Sequence, residues 1–299
     1  MASEGGSPPR RRRALSTEAA FTIPSFTWLA LLFVVPTLIV FVIALRPADL
    51  YGGVGPGWTL ATLLSLANPS YLPVLWRTLW LSVATTAICL ILALPTGYCI
   101  ARASARWRRV LLLLVIVPFW TSFLIRIFAW KVVLHPDGLL KRALAAVGLV
   151  HADAVLLYNE WAVLLVMVYT CLPFAILPIY AAAEKFDYTL VEAARDLGAA
   201  PWEGFVKVFL PGIRRGLAAS LLIVLIPALG TYVIPDIVGG PSSEMIGNKI
   251  AQRVFVDRNL PLASGLSALL TLAVLLPMAG ALLLQRGRGG AASIRKGEG

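Results

Sequence analysis

Six long stretches almost free of charge limit what this chain can become more than any other feature. A helix rises about 1.5 Å per residue, so about twenty apolar residues cross the hydrocarbon core of a bilayer. Phe26–Leu45, Val74–Ala101, Val110–Trp130, Trp161–Ala183, Leu217–Pro235 and Pro261–Leu284 each reach about that length. They are expected as membrane-spanning helices. Pro36, Pro95, Pro118, Pro173, Pro178, Pro227 and Pro277 fall inside them, where proline kinks rather than breaks a helix in lipid. The composition agrees: 59% hydrophobic and 14% charged residues, against about 25% charged in soluble domains. The fold class read here is an all-α integral membrane protein.

Basic residues then orient the spans. With both termini inside, 17 of the 26 Lys and Arg fall on the cytoplasmic side, including Arg10–Arg13, Arg102, Arg106, Arg108 and Arg109. The outer loops hold seven, and Arg77 and Arg126 lie within spans. The positive-inside rule accounts for that asymmetry and for the net charge of +11, so nucleic acid is not invoked. The apolar stretch after Arg10–Arg13 is too long for a signal-peptide core, and no A-x-A site follows it. Cys89, Cys99 and Cys171 sit in apolar runs with no CxxC spacing, and His135 and His151 are isolated, so neither a disulfide framework nor a metal site is expected.

One polar island interrupts this pattern: Glu192–Pro211, EAARDLGAAPWEGFVKVFLP. Thr189 and Glu192 have capping-box spacing, which starts a short helix running to Leu197. Gly198 suits the left-handed residue that closes a helix, and Pro201 suits the first position of the next. The expectation is helix, sharp turn, helix on the cytoplasmic face. Trp202, Phe205 and Val206 are candidate apolar surface for a partner.

That island reads EAA-x3-G-x9-[IV]-x-LP, and it resembles the cytoplasmic signature of permease subunits of ABC importers with the type I transmembrane fold. VPFWTSFLIRIFAW, LPFAILPIYAAAEKFD, IPALGTYVIPDIVGGP and the segment Met245–Ser267 look like the spermidine/putrescine-type permeases. The resemblance implies six spans with a cytoplasmic coupling helix. The expected division is a disordered basic cytoplasmic tail over 1–20, the first span and an outer loop over 21–72, a transmembrane domain of five spans over 73–284 with a coupling loop over 184–214, and a second cytoplasmic tail over 285–299. Glu192, Ala193, Ala194, Arg195, Asp196, Gly198, Leu210 and Pro211 are the implied ATPase-coupling residues.

The implied partners are a second permease, two copies of a cytosolic ABC ATPase and a periplasmic or lipid-anchored binding protein, at the bacterial cytoplasmic membrane. The sequence lacks the G-x-x-x-x-G-K-[ST] phosphate loop, so the chain is read as non-catalytic, with ATP and Mg on the partner ATPase and no cofactor of its own.

The cargo is less constrained. No acidic residue falls near a bilayer midplane, and the intramembrane ions are Arg77 and Arg126, which are expected to pair with loop acids such as Glu160 or Asp236. Trp120, Phe123, Trp130, Tyr169 and Tyr232 offer aromatic faces to a cation. Of these, Trp120, Tyr169 and Tyr232, together with Asp236, are the candidate pathway residues. Where several relatives carry an acid after Ala228-Leu229-Gly230, this chain has Thr231. A polyamine is the leading cargo. An opine- or amino-acid-like cation, ferric iron or a sulfate-type anion remain open, as does a stand-alone secondary transporter; two solitary histidines do not make a membrane enzyme.

Overall fold

A computed structural model describes residues 10–49, 52–148, 151 and 154–275. In chain order the helices are α1 (Arg10–Ala44), α2 (Ala61–Ser65), α3 (Leu72–Arg102), α4 (Ala105–Ile116), α5 (Phe123–Val133), α6 (Leu139–Ala146), α7 (Glu160–Glu184) and α8 (Thr189–Asp196). There follow α9 (Pro201–Gly212), α10 (Arg214–Gly230), α11 (Ile246–Phe255) and α12 (Leu260–Leu275). Among the described residues the β structure is a single isolated bridge, Ala48 to Val54.

α3, α7 and α10 form the core. Small residues let them approach: a Cβ on Gly97 would lie 2.8 Å from Ile179 Cγ2, and one on Gly216 would lie 2.3 Å from Ala182 Cβ. Close backbone approach of this kind, with hydroxyls as glue, is how helices pack where lipid supplies no hydrophobic drive. Ser220 is buried on α10 and donates to the Ala175 carbonyl of α7 at 3.0 Å. At one end of the core, Thr78 accepts a hydrogen bond from the Ile246 N–H at 2.8 Å and ties α11 across α3.

Several expected boundaries change. Of residues 1–20, whose Gly, Ser, Pro and Arg content predicts disorder, those from Arg10 onward belong to α1; Arg, Ala, Leu and Glu there are good helix formers. Residues 1–9, the tail over 285–299 and the last span beyond residue 275 lie outside the described residues. Val110–Trp130 is not one straight span: Ala105–Trp120 and Phe123–Val133 meet at 92°. Thr121 and the N-cap Ser122 are both extended there (ψ 147° and 136°), and the Pro118 carbonyl accepts from the Thr121 hydroxyl at 2.7 Å and from its N–H at 3.4 Å. The fifth expected span stops at Gly230 rather than Pro235. Asn248 Nδ2 takes the Tyr232 carbonyl at 2.9 Å, holding that backbone out of the helix. Thr22–Ala44, Pro69–Arg102 and Glu160–Glu184 are long and apolar enough to cross a membrane singly, and the bent pairs raise the number to as many as five.

Candidate functional site: a seated hairpin and a cavity beside the broken helix

The polar island folds as a helix–turn–helix whose ends are closed by side chains and by glycine. Asp187 starts α8: its Oδ1 accepts from the Thr189 N–H at 3.0 Å and from the Thr189 hydroxyl at 2.7 Å. The expected Thr189–Glu192 capping box does not form. Tyr188 occupies the N-cap position, and Glu192 is exposed. A carboxylate is a strong acceptor, so Asp187 engages the Thr189 hydroxyl itself, and the Val191 and Glu192 N–H groups that a capping Thr189 would serve donate to the Tyr188 carbonyl at 3.0 and 3.2 Å. The bonds from Thr189 hold the exposed Asp187 carboxyl below its ordinary range.

At the other end of α8, Gly198 has φ +90°. Its N–H donates to the Arg195 carbonyl at 2.9 Å and the Ala199 N–H to the Ala194 carbonyl at 3.0 Å, a Schellman closure. Pro201 then opens α9, as expected. The Glu203 carboxylate reaches back to the Ala200 N–H at 3.0 Å and pairs with Lys207 at 2.6 Å, and both contacts lower its pKa. Over Gly204–Phe209 the helix widens to a π-type turn. Pro211 has no N–H for the Lys207 carbonyl and its ring crowds that oxygen, which accounts for the widening. A 73° bend then separates α9 from α10.

Beneath the hairpin lies an aromatic seat. The Tyr98 ring, near the end of α3, meets Phe205 at 5.3 Å and Phe209 at 4.9 Å, both edge-on. Phe186 packs on Phe209 at 5.3 Å, and Tyr188 faces Tyr98 at 5.9 Å. Arg102 donates to the Tyr98 hydroxyl at 2.8 Å, and its guanidinium lies over the Tyr98 and Tyr188 rings at 5.7 and 5.5 Å. Such edge-on pairs contribute about 0.5–1.5 kcal/mol each beyond burial, so the hairpin moves with α3 rather than apart from it. Gly204 lies against Val191, where a Cβ would stand 3.1 Å from Cγ1, and this joins α8 to α9.

The outward face is Leu190, Glu192, Ala193, Arg195, Asp196, Leu197 and Trp202, all exposed, with Ala194 and Leu210 half-buried and Pro211 exposed. Trp202 is outside as expected. Phe205 and Val206 are not: both are half-buried, Phe205 within the aromatic seat. Leu197, 89% exposed, escaped the sequence reading. The signal was present only in its place, a leucine at the C-cap immediately before the closing glycine, where the chain turns away from the body of the helix.

Within the bundle, a cavity of about 450 Å³ opens beside the broken helix, lined by Phe119, Phe123, Arg126, Thr170, Phe174 and Thr231 among others. Trp120, Tyr169, Tyr232 and Asp236 do not line it. Trp120, Tyr232 and Asp236 are exposed, and Tyr169 meets Trp130 edge-on at 5.4 Å. The two intramembrane arginines differ. Arg77 pairs with Glu160 at 2.6 Å and donates to the Glu244 carbonyl, as the acid-pairing expectation has it. Arg126 has no carboxylate partner among the described residues, and its guanidinium rests over Phe119 at 5.3 Å.

A family model described as the binding-protein-dependent transport system inner membrane component matches residues 90–288, the stretch that holds the hairpin and all of the cavity lining. The chain belongs to this family. Among its relatives, the spermidine/putrescine transport system permease protein PotB of Haemophilus influenzae is 38% identical over 246 residues, 82% of this chain and 86% of that one. The PotB of Escherichia coli K12 is 34% identical over 245 residues, 82% and 89% of the two chains. In shape, a bacterial ABC transporter that imports the acidic polysaccharide alginate matches with a TM-score of 0.64 at 18% identity, over 93% of this chain and 99% of that one. The inward-facing MetNI methionine ABC transporter matches with 0.54 at 20% identity, over 72% and 94%. These two likenesses carry the fold alone. As a member of the inner-membrane transport family, the chain is a multi-pass membrane protein, and the resemblance read from EAA-x3-G and its companions is borne out.

Proposed function

We propose that this chain is one permease subunit of an ATP-driven importer, forming half of the path for a polyamine such as spermidine or putrescine. The cargo rests chiefly on the 38% identity to a protein named a spermidine/putrescine permease, spread over 82% of the chain. The second half of the path falls to a second permease; a Shigella flexneri protein named PotC is 29% identical over 133 residues, the kind of related subunit a heterodimer needs. Both termini and the hairpin lie on the cytoplasmic side, in keeping with the basic residues there. Two copies of a cytosolic ATPase bind ATP and Mg, and a periplasmic or lipid-anchored protein delivers cargo.

The hairpin is the coupling device. Power transmission needs an element that stays rigid while its contacts change between global states. A Schellman-closed, aromatic-seated hairpin with Leu197 and Trp202 exposed meets that need. Glu192, Ala193, Ala194, Arg195, Asp196, Gly198, Leu210 and Pro211 carry the ATPase contact or hold its shape. Six spans complete the domain.

Calorimetry on the cognate binding protein tests the cargo. Heat with putrescine or spermidine is expected; no heat with either, and a clear signal with another solute, rejects the polyamine and leaves the permease role standing. A Glu192→Lys chain that inserts normally yet retains full transport with its ATPase would reject the coupling role.

A further inference from the structure

We propose that the cavity beside the broken helix holds a carboxylate of the second permease subunit, paired with Arg126. This rests on the cargo being a cation carried between two permeases, as proposed above. The observation is one guanidinium nitrogen, the Arg126 Nε, that no described residue satisfies. Arg126 Nε is shielded from solvent and donates to nothing among the described residues. Phe119 covers the guanidinium at 5.3 Å, a contact that draws it in but accepts no N–H bond. The Thr170 hydroxyl, which also lines the cavity, is committed to the Val166 and Met167 carbonyls at 2.9 and 3.0 Å.

Among the described residues no ion-paired acid is paired with Arg126. Glu160 holds Arg77, Glu184 holds Arg108, Glu203 holds Lys207, Glu244 holds Lys249 and Asp257 holds Arg253. Asp236 is exposed and does not line the cavity. Ionisable side chains in membrane helices face a bundle interior or cavity and pair with one another or with backbone carbonyls. An ammonium cargo cannot neutralise a guanidinium. The missing acid therefore comes from protein, and the neighbouring permease is the subunit placed to supply it. The outer face of α5 fits such a neighbour: Ile125 and Phe128 are exposed beside Arg126. The cavity, at about 450 Å³, has room for an Asp or Glu side chain. Pairing also removes a positive potential that would repel a cationic cargo from this part of the path.

The test uses the complete importer in liposomes. Arg126→Glu is expected to lower initial polyamine uptake at least about tenfold while Arg126→Lys retains most of it, because breaking a desolvated pair is costly and conserving the charge is not. Acids in the membrane segments of the second permease are then changed singly to Lys in the Arg126→Glu background. Recovery of uptake by one such exchange supports the pair; failure of every exchange, or wild-type uptake in Arg126→Glu, overturns it. Where Arg126→Glu does not assemble, Arg126→Cys with Cys99 and Cys171 replaced by Ser is combined with cysteines at the same acids. A disulfide at one position supports the pair, and none at any position overturns it, whatever the cargo. A wild-type importer inactive with polyamines would instead reject the cargo, and if Arg126→Gln weakened only a carboxylate-bearing cargo, Arg126 would bind cargo and the pair would be rejected.

Discussion

Asp187 and Glu203 hold the two helix starts of the hairpin through single carboxylates, each serving backbone N–H groups that otherwise go unpaired. Asp187→Ala is expected to weaken the first turn of α8, because the Thr189 N–H and hydroxyl lose their acceptor. Hydrogen exchange of the amides over 189–192 in the assembled importer reads this as faster exchange at the start of α8 alone. Both carboxyls have lowered folded pKa values. Their contribution is thus complete above the unfolded range, about 3.9 to 4.3, and fades as pH falls through the folded values. Protection of the Thr189 and Ala200 amides, corrected for intrinsic rates, should stay level from pH 7 to 5 and drop below pH 4; a drop between pH 7 and 6 would contradict this. Gly198 was legible in the sequence because backbone geometry, at φ +90°, leaves glycine little competition. Asp187 was not, because Thr189 and Glu192 had the right spacing, and the choice between two acceptors depends on where the chain enters the helix.

At the scale of elements, packing space decides which glycines matter. A Cβ on Gly216 would stand 2.3 Å from Ala182 Cβ and 2.9 Å from the Pro178 carbonyl, whereas one on Gly230 meets nothing within 4 Å. Gly216→Val is expected to destabilise the core by about 1–3 kcal/mol, the range for overpacking, and Gly230→Ala by far less. Thermal unfolding of the purified chain in detergent compares them; equal midpoints would mean that α7 and α10 are not packed as described. Sequence reading located the apolar elements well but not their breaks. Pro95, Pro173, Pro178 and Pro227 lie inside continuous helices, while Pro118 lies in the 3-10 turn that leads into a 92° break. A proline alone does not choose between these outcomes. The extended Thr121 and Ser122 that follow do, and hydropathy is blind to them.

Across the molecule, α3 links the two ends. Tyr98 and Arg102 grip the hairpin, and at the other end Arg77 binds Glu160 while Thr78 holds the start of α11. The 25 helical steps from Arg77 to Arg102 span about 37 Å, a rigid path long enough to carry a displacement across the bilayer. On the proposed function, contact and transmission are separate steps, and two variants part them. Leu197→Asp places charge on the most exposed apolar residue of the hairpin without touching the aromatic seat. It should weaken ATPase association about tenfold or more, as loss of a central apolar contact does, with membrane insertion unchanged. Tyr98→Ala leaves that outward face intact and empties the seat under Phe205 and Phe209. The ATPase should then still bind and hydrolyse ATP, while uptake per ATP falls. Co-purification, ATP hydrolysis and uptake measured on the same liposomes distinguish the two. If Tyr98→Ala loses association and transport together, the seat only shapes the contact face; if it loses neither, α3 is not the path of transmission.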